Sequence, residues 1–372
     1  MRRRLRRTFI AAFVLAITGC HPQEDPSPTL EDQAAQLLIL GFRGKTIDDA
    51  QVITESLGRH KLGGVILFDR DVELGTDRNI ESPAQVRSLI AGLQRQAGSP
   101  RLLVAIDQEG GFVDRLKSRY GFPQTHSAKY FGDLGDPAAT YAEADVTTAT
   151  LADLGINLNF APVVDLDVNP SSPAIGARER SYSADPAVVI EHATQVIEAH
   201  REHGVATALK HFPGHGSATA DSHVGFVDVS STWSDVELEP FVALAGPDPL
   251  QLVMTAHLYN SRFDPNYPAT LSAATIGVLR EHIGFRGVVV SDDMQMGAIT
   301  QYYGLERALE LSINAGVDLF IFANNLVYEP DVADRAVVAI VQMVEDGRIP
   351  RQKLRAAYDR VCGLKVALKL AC

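Results

Sequence analysis

Cysteine is almost missing from this chain of 372 residues, with Cys20, Cys362 and Cys372 the only three. That excludes a disulfide framework, so an apolar core must carry the fold. The ten-residue spacing of the last two permits a bridge without requiring one. Positive charge is also in deficit. The formal net charge is −12, and setting aside the five arginines at positions 2, 3, 4, 6 and 7 leaves −17. Such a surface disfavours nucleic acid, and disfavours anionic lipid through charge alone. No Gly-x-Gly-x-x-Gly follows the first strand-like run, which argues against a dinucleotide held on a helix N-terminus. Beyond residue 30 no Pro/Ser-rich linker divides the chain, and one domain is expected.

The N-terminus reads as an export signal over residues 1–19: arginines, an apolar run from Phe9 to Ile17 too short to span a bilayer, then small residues before Cys20. Ile17-Thr18-Gly19-Cys20 resembles a bacterial lipobox, so Cys20 is expected to be lipidated and to tether the protein to a membrane outside the cytoplasm. An ordinary secretory signal cleaved nearby and an uncleaved anchor are the alternatives. Residues 20–29 hold Pro22, Pro26 and Pro28, a composition suited to a spacer rather than a core. The folded unit is expected over residues 30–372.

Short β-branched or apolar runs predict eight strands: Leu37–Phe42, Gly63–Phe68, Leu102–Asp107, Asn157–Leu166, Val205–Phe212, Leu250–Leu258, Gly287–Asp292 and Asp318–Asn324. Stretches with helical spacing alternate with them, including Pro83–Gln96, Pro137–Leu154, Pro186–His203, Ser272–Ile283 and Leu305–Ala315. Near-continuous apolar strands alternating with helices indicate a parallel sheet covered by helices. Eight repeats indicate an α/β fold of the closed (β/α)8 TIM-barrel type. Asp107, Asp165, Lys210, His211, His257, Asp292 and Asn324 all stand at or just past the C-terminal ends of these runs, which is the catalytic rim of a barrel.

Two segments concentrate the chemistry. Lys210-His211-Phe212-Pro213-Gly214-His215-Gly216, with Asp221-Ser222-His223 just beyond it, packs three histidines, a lysine and an aspartate into fourteen positions. In Val288-Val289-Val290-Ser291-Asp292-Asp293 a strand delivers a carboxylate to the barrel mouth. Strand neighbours point to opposite faces, so Asp292 is the choice for the mouth and Asp293 for hydrogen bonding. A third segment, Asp107-Gln108-Glu109-Gly110-Gly111, sets an acid beside glycines that allow close backbone approach.

Together these segments resemble glycoside hydrolase family 3, and more narrowly its single-domain bacterial β-N-acetylglucosaminidases (β-N-acetylhexosaminidases), from about Leu30 to the C-terminus. The resemblance implies a retaining exo-glycosidase that hydrolyses terminal β-linked N-acetylglucosamine, with peptidoglycan fragments as the favoured substrate and chitin-derived oligosaccharides open. Asp292 would be the nucleophile, His223 the acid/base and Asp221 its partner, on a loop suited to move as a lid. Asp107, Arg115, Arg180, Lys210 and His211 would bind the sugar, with no cofactor and no metal. Two departures stand out. Phe112 occupies a position where that family often has arginine, and Gly176–Tyr182 is longer than usual, which leaves Arg178 competing with Arg180. Three other readings stay open: phosphorolysis of the same glycosides, a metal-dependent barrel hydrolase using His211, His215 and His223, and a catalytically silent glycan binder.

Overall fold

The computed structural model describes residues 28–372, so the signal segment and Cys20 lie outside the described residues. Thr29 caps the helix Leu30–Gln36 through a reciprocal capping box with Asp32.

Eight parallel strands follow: β1 Leu38–Gly41, β2 Gly64–Leu67, β3 Leu103–Ile106, β4 Leu158–Asn159, β5 Ala206–Phe212, β6 Gln251–Thr255, β7 Val289–Asp293 and β8 Leu319–Phe322. Each pairs with the next, and β8 returns to β1 with Leu38 opposite Phe320 and Leu40 opposite Phe322, closing the barrel. Every residue of the barrel strands except Asp292 is buried, because helices cover the outside and side chains fill the inside, and in the outlying pair Arg70–Asp71 and Thr76–Asp77 Asp71 is buried too. Phe160, Phe212, Phe320 and Phe322 are among the fully buried side chains.

All eight predicted strands are present, most of them shorter than their apolar runs. β4 shows the reason most clearly. The run Asn157–Leu166 forms regular ladder only at Leu158–Asn159, because Pro162 has no N–H to donate and the chain turns into the rim. Helices outside the barrel begin as expected: Ser82, Asp136 and Asp185 each cap a helix whose next residue is proline. The expected helix Ser272–Ile283 is instead a short α-helix, Ala273–Gly277, running into a π turn, Val278–His282. Cys362, on the helix Arg351–Ala367, forms a disulfide with Cys372. No helix among the described residues is long and apolar enough to cross a membrane.

The closing seam is tight. A Cβ placed on Gly41 would sit 1.8 Å from the carbonyl oxygen of Ala323, a backbone atom that cannot move without displacing β8. Gly41→Ala is therefore expected to destabilise the protein by about 1–3 kcal/mol or more, as overpacking does. Urea denaturation against wild type measures this, and an unchanged midpoint would contradict the seam geometry.

Candidate active site

β5 supplies two neighbouring side chains to the same rim. A regular strand would send Lys210 and His211 to opposite faces, but the β5–β6 register shifts between Leu209 and Phe212. The Lys210 ammonium reaches Asp107 Oδ1 at 2.8 Å and Glu109 Oε1 at 2.7 Å. Glu109 also takes a bidentate pair from Arg180, Nε to Oε2 and Nη2 to Oε1, each at 2.8 Å. Burial alone would raise the Glu109 carboxyl. Arg180 and Lys210 outweigh that and hold it well below the usual carboxylate range. Burial likewise opposes the charge on Arg180, and Glu109 overcomes it.

Asp165, fully buried beneath this layer, orients His211. It accepts His211 Nδ1 at 2.7 Å and the backbone N–H groups of His211 and His215 at 2.8–3.1 Å. With Nδ1–H donated to Asp165, His211 Nε2 is free to accept, and Arg180 Nη2 stands 3.3 Å from it.

The two acids ending β7 part as strand geometry requires. Asp292 faces the mouth and accepts the Asp293 N–H at 2.8 Å. Burial pushes Asp292 up, but His211, His257 and His223 pull it down more, to about 2. Asp293 turns inward and accepts the N–H groups of Ala323 and Gln295. Burial pushes it up to about 7. His257 is buried too, with Nε2 3.0 Å from the Asp293 carbonyl, and it stiffens the rim without lining the cleft.

Asp221 and His223 come from the long loop after β5. His223 Nδ1 lies 2.7 Å from Asp221 Oδ1, so Nδ1–H is committed and Nε2 is left to exchange protons. Burial lowers His223, yet the Asp221 hydrogen bond and the Asp292 charge raise it further, to a net value above the ordinary histidine range. The loop is tied down by Gly297 and Ala298, whose N–H groups donate to the carbonyls of His223 and Ser222, and by Gln301 to Val224.

All eight side chains singled out in the sequence, Asp107, Arg115, Arg180, Lys210, His211, Asp221, His223 and Asp292, line one cleft of about 380 Å³. Asp165, His257 and Asn324, expected at the rim, do not line it. Each is buried, and Asn324 ties β8 to the Gly41 carbonyl of β1. Sequence reasoning missed Glu109 as the charge hub, although its motif was in view. It missed Met254 as well, a cleft wall that nothing in its apolar strand distinguishes. Arg180 is the inner arginine and Arg178 stands at the exposed rim of the same cleft. Among the described residues no group of three or more His, Cys, Asp or Glu is arranged to hold a metal ion.

The profile of the glycosyl hydrolase family 3 N-terminal domain matches residues 29–364. This chain belongs to glycosyl hydrolase family 3. It is 34% identical over 313 residues to a beta-hexosaminidase of Nitrosomonas eutropha, covering 82% of this chain and 84% of that one. It is 29% identical to beta-hexosaminidase A of Pseudoalteromonas piscicida over 95% of its length but spans only 64% of that longer relative. Among solved structures, a family 3 beta-N-acetylglucosaminidase from Paenibacillus superposes with TM-score 0.83 at 34% identity, covering 92% of this chain and 63% of that one. The beta-N-acetylhexosaminidase of Beutenbergia cavernae gives 0.81 at 31% identity, covering 91% and 98%.

Removing Glu109 leaves two buried cations without their shared anion. Glu109→Ala is expected to cost about 3–5 kcal/mol, the usual range for breaking a buried pair. Because its carboxyl sits below the ordinary value of 4.5, that contribution is complete above 4.5 and is lost as pH falls beneath it. Chemical denaturation of both proteins should show the gap widest at neutral pH and narrowing in acid. A gap independent of pH would contradict the assignment.

Proposed function

We propose that this chain is a retaining exo-β-N-acetylglucosaminidase that hydrolyses terminal β-linked N-acetylglucosamine. The convergence of a low carboxylate, Asp292, with a proton-holding His223–Asp221 pair in one cleft carries this reading, and the names of the family relatives supply the sugar. Asp107 and Lys210 would bind sugar hydroxyls, while Arg115 and Arg180 close the same wall. Arg115 Nε is buried without a partner and is a ready donor.

In the first step an Asp292 oxygen attacks the anomeric carbon and the bond to the leaving oxygen breaks. His223 Nε2–H gives its proton to that oxygen, leaving neutral imidazole and a glycosyl ester on Asp292. In the second step His223 Nε2 takes a proton from water, the resulting hydroxide attacks the anomeric carbon, and the ester bond breaks. Asp292 returns as carboxylate and His223 as imidazolium. Asp221 stabilises the charged form, so the acid stays loaded to higher pH than an ordinary histidine would.

We further propose an envelope location, with Cys20 lipidated and residues 20–29 as the spacer. The apolar run Phe9–Ile17 ahead of Thr18-Gly19-Cys20 supports it, as an export signal ending at a lipidated cysteine requires. The Cys362–Cys372 bridge supports it as well, since disulfides persist in oxidising compartments. Peptidoglycan fragments, whose N-acetylglucosamine is linked to N-acetylmuramic acid, are then the substrate at hand.

The test is chromophore release from an aryl N-acetyl-β-glucosaminide. Asp292→Ala should abolish turnover and His223→Ala should lower it about 10²–10⁴-fold, the usual contribution of a general acid/base. The product should be the free sugar even in phosphate buffer. A sugar phosphate would overturn hydrolysis, and loss of turnover on chelation would overturn the metal-free mechanism.

The pH dependence follows from the same pair. With Asp292 ionised down to about 2 and His223 raised, activity should fall as pH climbs through a limb above 6.5, the ordinary histidine value. Asp221→Asn removes the anion that raises His223 and should move that limb to lower pH. A limb that stays in place would show that Asp221 does not set the acid.

A further inference from the structure

The cations of the cleft differ in one respect. Lys210 is neutralised by Asp107 and Glu109, Arg180 by Glu109 and His223 by Asp221, and Arg115 stands 3.7 Å from Asp69. Arg178 lines the same cleft and makes no ion pair among the described residues. Its side chain has a single long hydrogen bond, Nε to the Pro173 carbonyl at 3.4 Å. In a chain of net charge −12 this is an uncompensated guanidinium at the mouth of a catalytic cleft.

Its place along the wall indicates what it would meet. Lys210 and His211 are buried at the deep end, the His223 side chain is 50% exposed, and Phe112 is 63% exposed at the rim. A sugar seated over Asp292 leaves through an oxygen at His223, and Phe112 and Arg178 are exposed side chains lining that same cleft. Both are held by ordered backbone. Phe112 follows the left-handed Gly110-Gly111 turn, closed by the Val113 N–H on the Gly110 carbonyl and fixed on the segment that bears Glu109. Arg178 ends the short turn Gly176–Arg178, whose next residue, Glu179, accepts the Ser127 hydroxyl at 2.8 Å.

We infer that Arg178 and Phe112 form the leaving-group subsite and that Arg178 selects leaving sugars carrying a carboxylate, as the lactyl ether of N-acetylmuramic acid does. This rests on the glycosidase reading above and narrows it. The guanidinium meets the carboxylate, while the Phe112 ring packs on the apolar face of the pyranose. A neutral N-acetylglucosamine leaving group gains the ring contact only.

Steady-state kinetics on two disaccharides, N-acetylglucosaminyl-β-1,4-N-acetylmuramic acid and N,N′-diacetylchitobiose, test it with the whole protein. Wild type should show the lower KM for the anionic one. Arg178→Gln should raise that KM roughly fivefold, the scale of an exposed ion pair, with kcat and the chitobiose KM within a factor of two. Arg178→Lys should restore most of the difference, and salt of about 0.5 M should erase the wild-type preference by screening. Phe112→Ala should raise both KM values alike. Equal effects of Arg178→Gln on the two substrates, or a preference that survives salt, would overturn the inference while leaving the glycosidase reading intact. Wild type that cleaves neither disaccharide would overturn both.

Discussion

Two buried cations share one buried carboxylate, and the cleft is arranged around that fact. Lys210 and Arg180 come from β5 and from the loop beyond β4, and neither could be buried beside the other without Glu109 between them. The bidentate fork fixes Arg180, and Arg180 in turn meets His211, whose ring is set from below by Asp165. What a ligand would meet on this wall is thus a set of donors whose positions are determined before it arrives. Such preorganisation is what sugar hydroxyls require, because a flexible donor would lose in ordering entropy what it gained in hydrogen bonding.

The reactive groups divide between rigid and adjustable parts of the chain. Asp292 sits on a barrel strand, where the Asp293 N–H holds its carboxylate. His223 sits on the long loop after β5 and is half exposed, with Asp221 two residues away on the same loop. In the proposed mechanism Asp292, as nucleophile, needs an invariant attack line, whereas His223, as acid/base, must serve a departing sugar and then a water at nearly the same point. Carrying the histidine together with its own carboxylate preserves the Asp221 contribution to its proton affinity if the loop moves, whereas the Asp292 contribution depends on the loop being in place.

Much of this was legible in the sequence, for reasons that differ by element. The barrel was readable because most strands are apolar on both faces and three of the outer helices open on a cap followed by proline. Strand lengths were not, since the run Asn157–Leu166 continues past Pro162 with Val163, Val164 and Leu166, and only that proline shows where the ladder ends. Asp292 and Asp293 could be told apart by alternation alone. Lys210 and His211 defied that rule through a register shift that no local pattern announces. Arg178 and Arg180 looked equivalent in a segment of unusual length, and only the fold assigns one to Glu109 and the other to the rim. Glu109 went unassigned because a charge hub is defined by partners 71 and 101 positions away, Arg180 and Lys210. The apolar wall at Met254 carries no signal, because core and cleft residues of a strand read alike.

The central claim is that Asp292 becomes covalently glycosylated. The most direct measurement is mass spectrometry of the His223→Gly variant, slowed in the second step, after brief exposure to an activated aryl N-acetyl-β-glucosaminide. The account predicts one N-acetylhexosamine attached to the peptide containing Asp292 and none to the Asp292→Ala counterpart. An adduct on another residue, or product released with inverted configuration and no adduct, would contradict it.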